Sequence, residues 1–167
     1  KSINYLEAKS IVKQNYFSID CYDHILKQHT TIKTKKLVNA CGPWVDFTRA
    51  FENKNIKSKI RLSKGIHIVV AHSKLPLKQA VYFDANENRM CFAIPRGEVT
   101  YIGTTDNDYK KHPDNPKTST NDVAYILESA NKTFSKKLTN KDVISSWAGL
   151  RPLIEKKGKK STELSRK

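Results

Sequence analysis

The chain has 167 residues and a formal net charge of +15, from 31 Lys and Arg against 16 Asp and Glu. That length fits one domain or two small ones, with a core that does not depend on disulfides. Hydrophobic residues at 38% make the chain polar, but aromatics at 9% argue against disorder, and no apolar run approaches the roughly 18 residues of a membrane span.

In chain order, Lys1-Ser2-Ile3-Asn4 lacks the apolar core of a signal peptide. Ile3–Val12 and Tyr16–Leu26 are rich in Ile, Val, Tyr and Phe and are split by Gln14-Asn15, which predicts a β-hairpin. Lys36–Ala40 reads as a further short strand. It ends in the turn Cys41-Gly42-Pro43-Trp44, where Pro43 suits the first turn of a helix over Trp44–Phe51. Ile60–Ala71 reads as a strand region broken at Lys64-Gly65. Ala80–Asp84, Met90–Pro95 and Val99–Thr105 predict an antiparallel meander with turns at Asn86–Asn88 and Arg96–Glu98. Asn107–Thr118 reads as a polar loop. Ser119 to Asp122 reads as a capping box that opens an amphipathic helix from about Asn121 to Phe134. Asp142–Leu150 returns as a strand, and from Glu155 the chain is Lys-rich without a core pattern. The expected fold is α+β, an antiparallel sheet with helices packed on it.

Cys21, Cys41 and Cys91 form no CxxC pair, so they are expected to be buried, reduced, structural thiols with no metal bound. Five features can carry chemistry. Gly42 and Pro43 end a strand before a helix, where backbone can approach a ligand closely. His67 follows Gly65 on a strand, where it is either a hydrogen-bonded structural histidine or a general base near neutral pH. His24, His29, His72 and His112 sit in polar contexts and read as surface residues. Gly103-Thr104-Thr105-Asp106 is either an Asx turn or a ligand contact. Arg151, between an apolar strand and Pro152, reads as a partly buried guanidinium at a sheet end. It needs an anionic partner, which is either a structural carboxylate or a substrate anion. The run Lys156 to Lys160 reads as a solvated face or a phosphate and lipid contact.

Six stretches in order carry a resemblance to a known family. They are Val38–Asp46, Ser63–Val70, Ala80–Phe83, Phe92–Arg96, Tyr101–Asp106 and Ser145–Ile154, and Ser161–Lys167 adds to them. Together they resemble the FAD-dependent glycerol-3-phosphate dehydrogenases and the related α-glycerophosphate oxidases. The resemblance implies the substrate domain of a D-amino-acid-oxidase-like flavoprotein at 53–154. It implies a fragment of the FAD-binding domain at 1–52, and a basic segment at 155–167 leading back to that domain. It implies hydride transfer from C2 of sn-glycerol 3-phosphate to flavin, with quinone or oxygen as the final electron acceptor. By resemblance His67 matches the active-site histidine and Arg151 the arginine beside substrate and flavin. Arg166 matches a second, phosphate-binding arginine, and Gly42, Pro43 and Trp44 fall in the cofactor-binding part.

The family's dinucleotide fingerprint is missing, so the chain is expected to be an internal segment that alone binds FAD weakly or not at all and does not turn over. The charge of +15 then has two uses: a phosphorylated substrate and an anionic surface at the inner face of the cell membrane. A cytoplasmic protein, peripheral at that surface, is the expected setting. Two alternatives stand beside this reading. One is a related flavin-dependent amino-acid oxidase. The other is a basic polyanion-binding module, whose mark would be exposed aromatics interleaved with a basic face. Because the aromatics fall at strand positions expected to be buried, no nucleic-acid partner is expected.

Overall fold

Strand-forming runs and one strongly amphipathic helix account for most of the architecture. The computed structural model describes residues 2–52, 55–85 and 89–155. It divides into two units, Lys1–Ile60 and Arg61–Lys167.

In the first unit β1 (Leu6–Lys13), β2 (Phe17–Asp23) and β3 (Gln28–Thr34) form an antiparallel sheet in the order β1-β2-β3. A bulge falls between Ala8 and Ser10. Ile11, Ile19 and Cys21 are its buried residues. The expected strand at Lys36–Ala40 is instead irregular chain, and the third strand lies earlier, at β3. The reason is the turn at 24–27, where Asp23 accepts backbone N–H bonds from Ile25 and Leu26 and folds β3 back onto β2. A 3-10 turn at Gly42–Trp44 leads into α1 (Val45–Ala50).

The second unit is a six-stranded sheet. It holds β4 (Ile60–Ala71), β5 (Val81–Ala85), β6 (Arg89–Arg96), β7 (Val99–Gly103), β8 (Asn107–Tyr109) and β9 (Val143–Ile154). Strands β5-β6-β7-β4 are antiparallel neighbours, and β8 and β9 both pair with β4. The β4 strand runs unbroken through Lys64-Gly65, and the loop expected from Asn107 contains β8. The turn expected at Asn86–Asn88 lies outside the described residues. Period-2 alternation sends Ile66, Ile68, Val70 and Ile102 to one face, where all are fully buried. Each such side chain contributes about 1.5–3 kcal/mol relative to exposure.

The helix α2 (Thr120–Thr133) covers that face with Ile126, Leu127 and Ala130. Its spacing of apolar residues makes the stripe, and Ser119 with Asp122 forms the expected capping box. Phe134 ends the helix in an extended conformation and packs edge-on against Phe83 at 5.2 Å. Cys21 and Cys91 are buried thiols as expected, but Cys41 is exposed, because it sits in the irregular chain before α1.

Asp122 ties the helix to the sheet. It is buried, and it accepts from Ser119, Asn107 and Lys64 of β4. Burial pushes its carboxyl up, but the bonds from Lys64 and Ser119 outweigh this and hold it below the ordinary carboxylate value. Asp122→Ala is expected to destabilise this unit by about 3–5 kcal/mol, since Lys64 is left charged with the Lys117 carbonyl but no carboxylate to pair it. The depressed carboxyl contributes stability above its ordinary midpoint of about 3.9 and loses it as pH falls through the lowered value. Urea denaturation at neutral and acid pH checks both points. An unchanged midpoint at neutral pH would count against the ion pair.

Candidate active site

The face of the second sheet opposite α2 is lined by rings. Tyr82 pairs with Phe92 across β5 and β6, and Phe92 and His67 both stand opposite Gly103. Tyr82 is 70% exposed and Trp147 44% exposed. The expectation that the aromatics are buried is therefore corrected for this face. Strand alternation places them away from α2.

His67 sits within that group. Its ring stacks on Trp147, with centroids 4.8 Å apart and planes 15° apart. Phe92 lies at 5.3 Å and Tyr101 at 6.5 Å. The register with Gly103 gives the ring its place, because a Cβ on residue 103 would collide with the imidazole. Nδ1 of His67 is buried and has no hydrogen-bond partner among the described residues. Burial, and then the nearby positive charge of Arg151, hold the imidazole pKa below its ordinary value. His67 is thus neutral at pH 7, which is the form a general base requires.

Arg151 is held by the segment after β7. The chain leaves the β4 ladder at Gly103, opposite His67, and rejoins it at Asn107, opposite Lys64. Three residues therefore stand where β4 has two, and the surplus bends the segment away from the ladder. Thr105 replaces the interrupted ladder: its hydroxyl accepts from the Ile66 N–H at 3.1 Å and donates to the Lys64 carbonyl at 3.3 Å. Thr104 Oγ1 accepts from Arg151 Nη2 at 3.0 Å, and the Thr105 carbonyl accepts from Nη1 at 3.2 Å. Asp106 Oδ1 lies 3.5 Å from Nη1 and also accepts from the buried Ser63 hydroxyl. The guanidinium is thus aimed by three neighbours, and among the described residues its one carboxylate partner is long. Gly65 makes room for it, since a Cβ there would stand 2.6 Å from Nη1 and 2.7 Å from Nη2.

His67 and Arg151 share one cavity of about 190 Å³, lined by Gly65, His67, Trp147, Gly149, Leu150 and Arg151. Along β9 the alternation sets an indole, an open glycine and a guanidinium on one face. Trp147, Phe92 and Tyr101 were not singled out as site residues from the sequence. The signal that finds Trp147 is its i, i+2, i+4 spacing with Gly149 and Arg151. Gly103 to Asp106 is more than a plain turn: it forms the cradle of Arg151.

Gly42, Pro43 and Trp44 belong to the first unit, where Gly42 adopts a φ of +52° with open space at its missing Cβ. Asn39 shapes that turn, accepting from the Cys41 N–H and donating to the Val45 carbonyl. Arg166 and Lys156 to Lys160 lie outside the described residues. His24 and His29 pair with the exposed carboxylates of Glu7 and Asp20, and His112 with Asp114. His72, expected at the surface, is part-buried near the Thr100 hydroxyl. A second cavity of about 850 Å³ lies beside the start of α2, with Lys64, Lys110, Lys111 and Lys117 but also Asp108 and Asp122 on its wall. No described group of His, Cys, Asp and Glu is arranged to hold a metal ion. No described helix is long and apolar enough to cross a membrane.

Comparison with known proteins adds to this geometry. The family described as FAD dependent oxidoreductase matches residues 7–161. Aerobic glycerol-3-phosphate dehydrogenase of Staphylococcus aureus strain MRSA252 is 42% identical over 99% of this chain, which spans 30% of that protein. The same enzyme from strain USA300 gives the same identity and coverage. Among solved structures, the glycerol-3-phosphate dehydrogenase of Bacillus halodurans complexed with FAD superposes with a TM-score of 0.84 at 46% identity. That match covers 92% of this chain and 32% of the other. The chain thus spans about a third of the length of the relatives it matches.

Proposed function

The chain belongs to the FAD-dependent oxidoreductase family, and we propose that it supplies the substrate side of a glycerol-3-phosphate dehydrogenase. The observation that carries this reading is the shared cavity of His67 and Arg151. A neutral histidine and an incompletely paired guanidinium meet there, as oxidation of a phosphorylated secondary alcohol requires. In this reading the second unit binds substrate and the first is part of the FAD-binding domain, with Gly42, Pro43 and Trp44 toward the cofactor.

The residues present fit a flavin. Apart from its chain neighbours, no described residue comes within 4 Å of the position a Gly149 Cβ would take, so Trp147, Gly149 and Arg151 would leave room for a flavin ring at this wall of the cavity. Bound FAD supplies the hydride acceptor. His67 takes the proton of the C2 hydroxyl, which makes hydride loss from C2 easier. Arg151 donates to the substrate oxygens and offsets the negative charge that develops. Arg166 is the proposed anchor for the phosphate, whose binding energy holds C2 in place. The rings of Trp147, Tyr101 and Phe92 exclude water around the imidazole. A quinone or oxygen as final acceptor, and an anionic membrane surface as a docking place for the basic protein, complete the proposal.

The test uses the full-length, flavin-loaded protein under anaerobic conditions. Adding sn-glycerol 3-phosphate is expected to bleach the flavin spectrum. His67→Gln is expected to slow that bleaching about a hundred-fold or more. Because burial and Arg151 lower the His67 pKa, the acid limb of the rate profile is expected below the ordinary histidine value of about 6.5. A flavin that stays oxidised would move the substrate to another class, with D-amino acids next to be tried.

A further inference from the structure

A histidine that acts on substrate needs a fixed ring, and the usual device is a hydrogen bond on the nitrogen that does not react. His67 lacks that device, since its buried Nδ1 has no partner among the described residues. We propose that Trp147 takes over this task as a positioning residue. Its indole, stacked on the imidazole, fixes the ring over Gly103 and keeps water from Nδ1.

The geometry supports a purpose beyond packing. Trp147 is 44% exposed and stands apart from the hydrophobic core under α2. Its ring contacts are His67, at 4.8 Å and 15°, and Tyr101, at 5.7 Å and 61°. Tyr101 also meets the His67 edge, so the three rings brace one another. The alternation of β9 places Trp147 on the Arg151 face, and both line the cavity. A near-parallel stack at this distance favours one ring tilt over the others. The charged or titratable groups that face His67 are Arg151 on β9 and Tyr101 on β7, while Phe92 on β6 brings no charge. Losing the indole leaves Arg151 in place and admits water, so the burial that lowers the His67 pKa is relieved.

This inference rests on the proposed role of His67, but its test does not need the substrate. Histidine is labelled with ¹³C in the full-length, flavin-loaded protein, and the His67 signal is assigned with His67→Gln. In Trp147→Leu the His67 titration midpoint is expected to rise by about one pH unit, and the acid limb of flavin reduction to rise with it. In Trp147→Phe, which keeps a stacking ring, both are expected to stay near the unsubstituted values. If the leucine variant does not fold, Trp147→Met takes its place with the same expected rise. Coincident midpoints in the unsubstituted protein and the leucine or methionine variant would overturn the proposal. So would equal shifts in the phenylalanine variant and the ringless one, which would leave bulk alone as the cause. A midpoint that moves as expected while glycerol 3-phosphate fails to reduce the flavin would keep the positioning role and reject only the substrate.

Discussion

Arg151→Met is expected to lower kcat/KM for flavin reduction by roughly a hundred- to a thousand-fold, about 2–4 kcal/mol of lost transition-state stabilisation. The methionine keeps the volume of the stem and removes every donor. Thr104 and Thr105 then lose their guanidinium, and Asp106 keeps only Ser63. Arg151→Lys is expected to recover about ten-fold of that loss at most. An ammonium retains the charge, but it cannot place two planar donor groups on Thr104 and Thr105 and still offer a fork to substrate. The methionine variant is also expected to raise the pKa of His67, because the arginine charge is the second cause of its lowering. Stopped-flow reduction at saturating and limiting substrate separates the two effects. A methionine variant that reduces flavin within about three-fold of the unsubstituted rate would make Arg151 a structural residue that only ties β9 to the Thr104–Asp106 segment.

Much of the second unit was legible because its signals are local. The stripe Val123, Ile126, Leu127, Ala130 and the Ser119 box both lie within a few residues, and α2 forms where they predict it. The meander β5 to β7 was legible from alternation between turn residues. What failed depends on partners distant in sequence. The Gly65 position reads locally as a break, yet β4 continues, because β7, β8 and β9 all pair with it. The polar Asn107–Tyr109 reads as loop, yet it extends along Leu62 to Lys64, with Asp108 bonded to Arg61. In the first unit Gln28–Thr34 has no buried residue at all, so no hydrophobic pattern marks β3.

The site shows the same division. His67 and Arg151 stand out by residue type and by resemblance to a family, and they come together from β4 and β9. The support around them was not legible. Thr104, Thr105 and Asp106 look like a turn until the one-residue surplus between Gly103 and Asn107 is seen against β4. Trp147 and His67 are 80 positions apart, and only the pairing of β9 with β4 makes their stack. A single sequence gives the reacting groups and leaves out the cross-strand neighbours that aim them.

Gly103→Ala is expected to lower the rate of flavin reduction by about a hundred-fold, the usual consequence of misplacing a reacting group by an ångström. An alanine Cβ would lie 2.8 Å from Nε2 of His67 and 2.9 Å from its Cγ. The ring cannot yield toward Trp147, which already stacks on it, so either the imidazole swings away or β7 shifts. The overpacking adds about 1–3 kcal/mol of destabilisation, readable as a lower denaturation midpoint. Gly65→Ala is expected to act in the same way on Arg151, displacing the guanidinium from Thr104 without removing it. Gly149→Ala separates these effects from a general intolerance of this sheet to side chains. Apart from its chain neighbours its Cβ would meet no described residue within 4 Å, so the stability of the unit is expected to stay unchanged. If the flavin rests on that open position, the same substitution weakens FAD binding while His67 and Arg151 remain in place. A Gly103→Ala protein that reduces flavin at the unsubstituted rate would show that the tilt of His67 over residue 103 does not matter to the chemistry. An unchanged FAD affinity in Gly149→Ala would place the flavin away from β9.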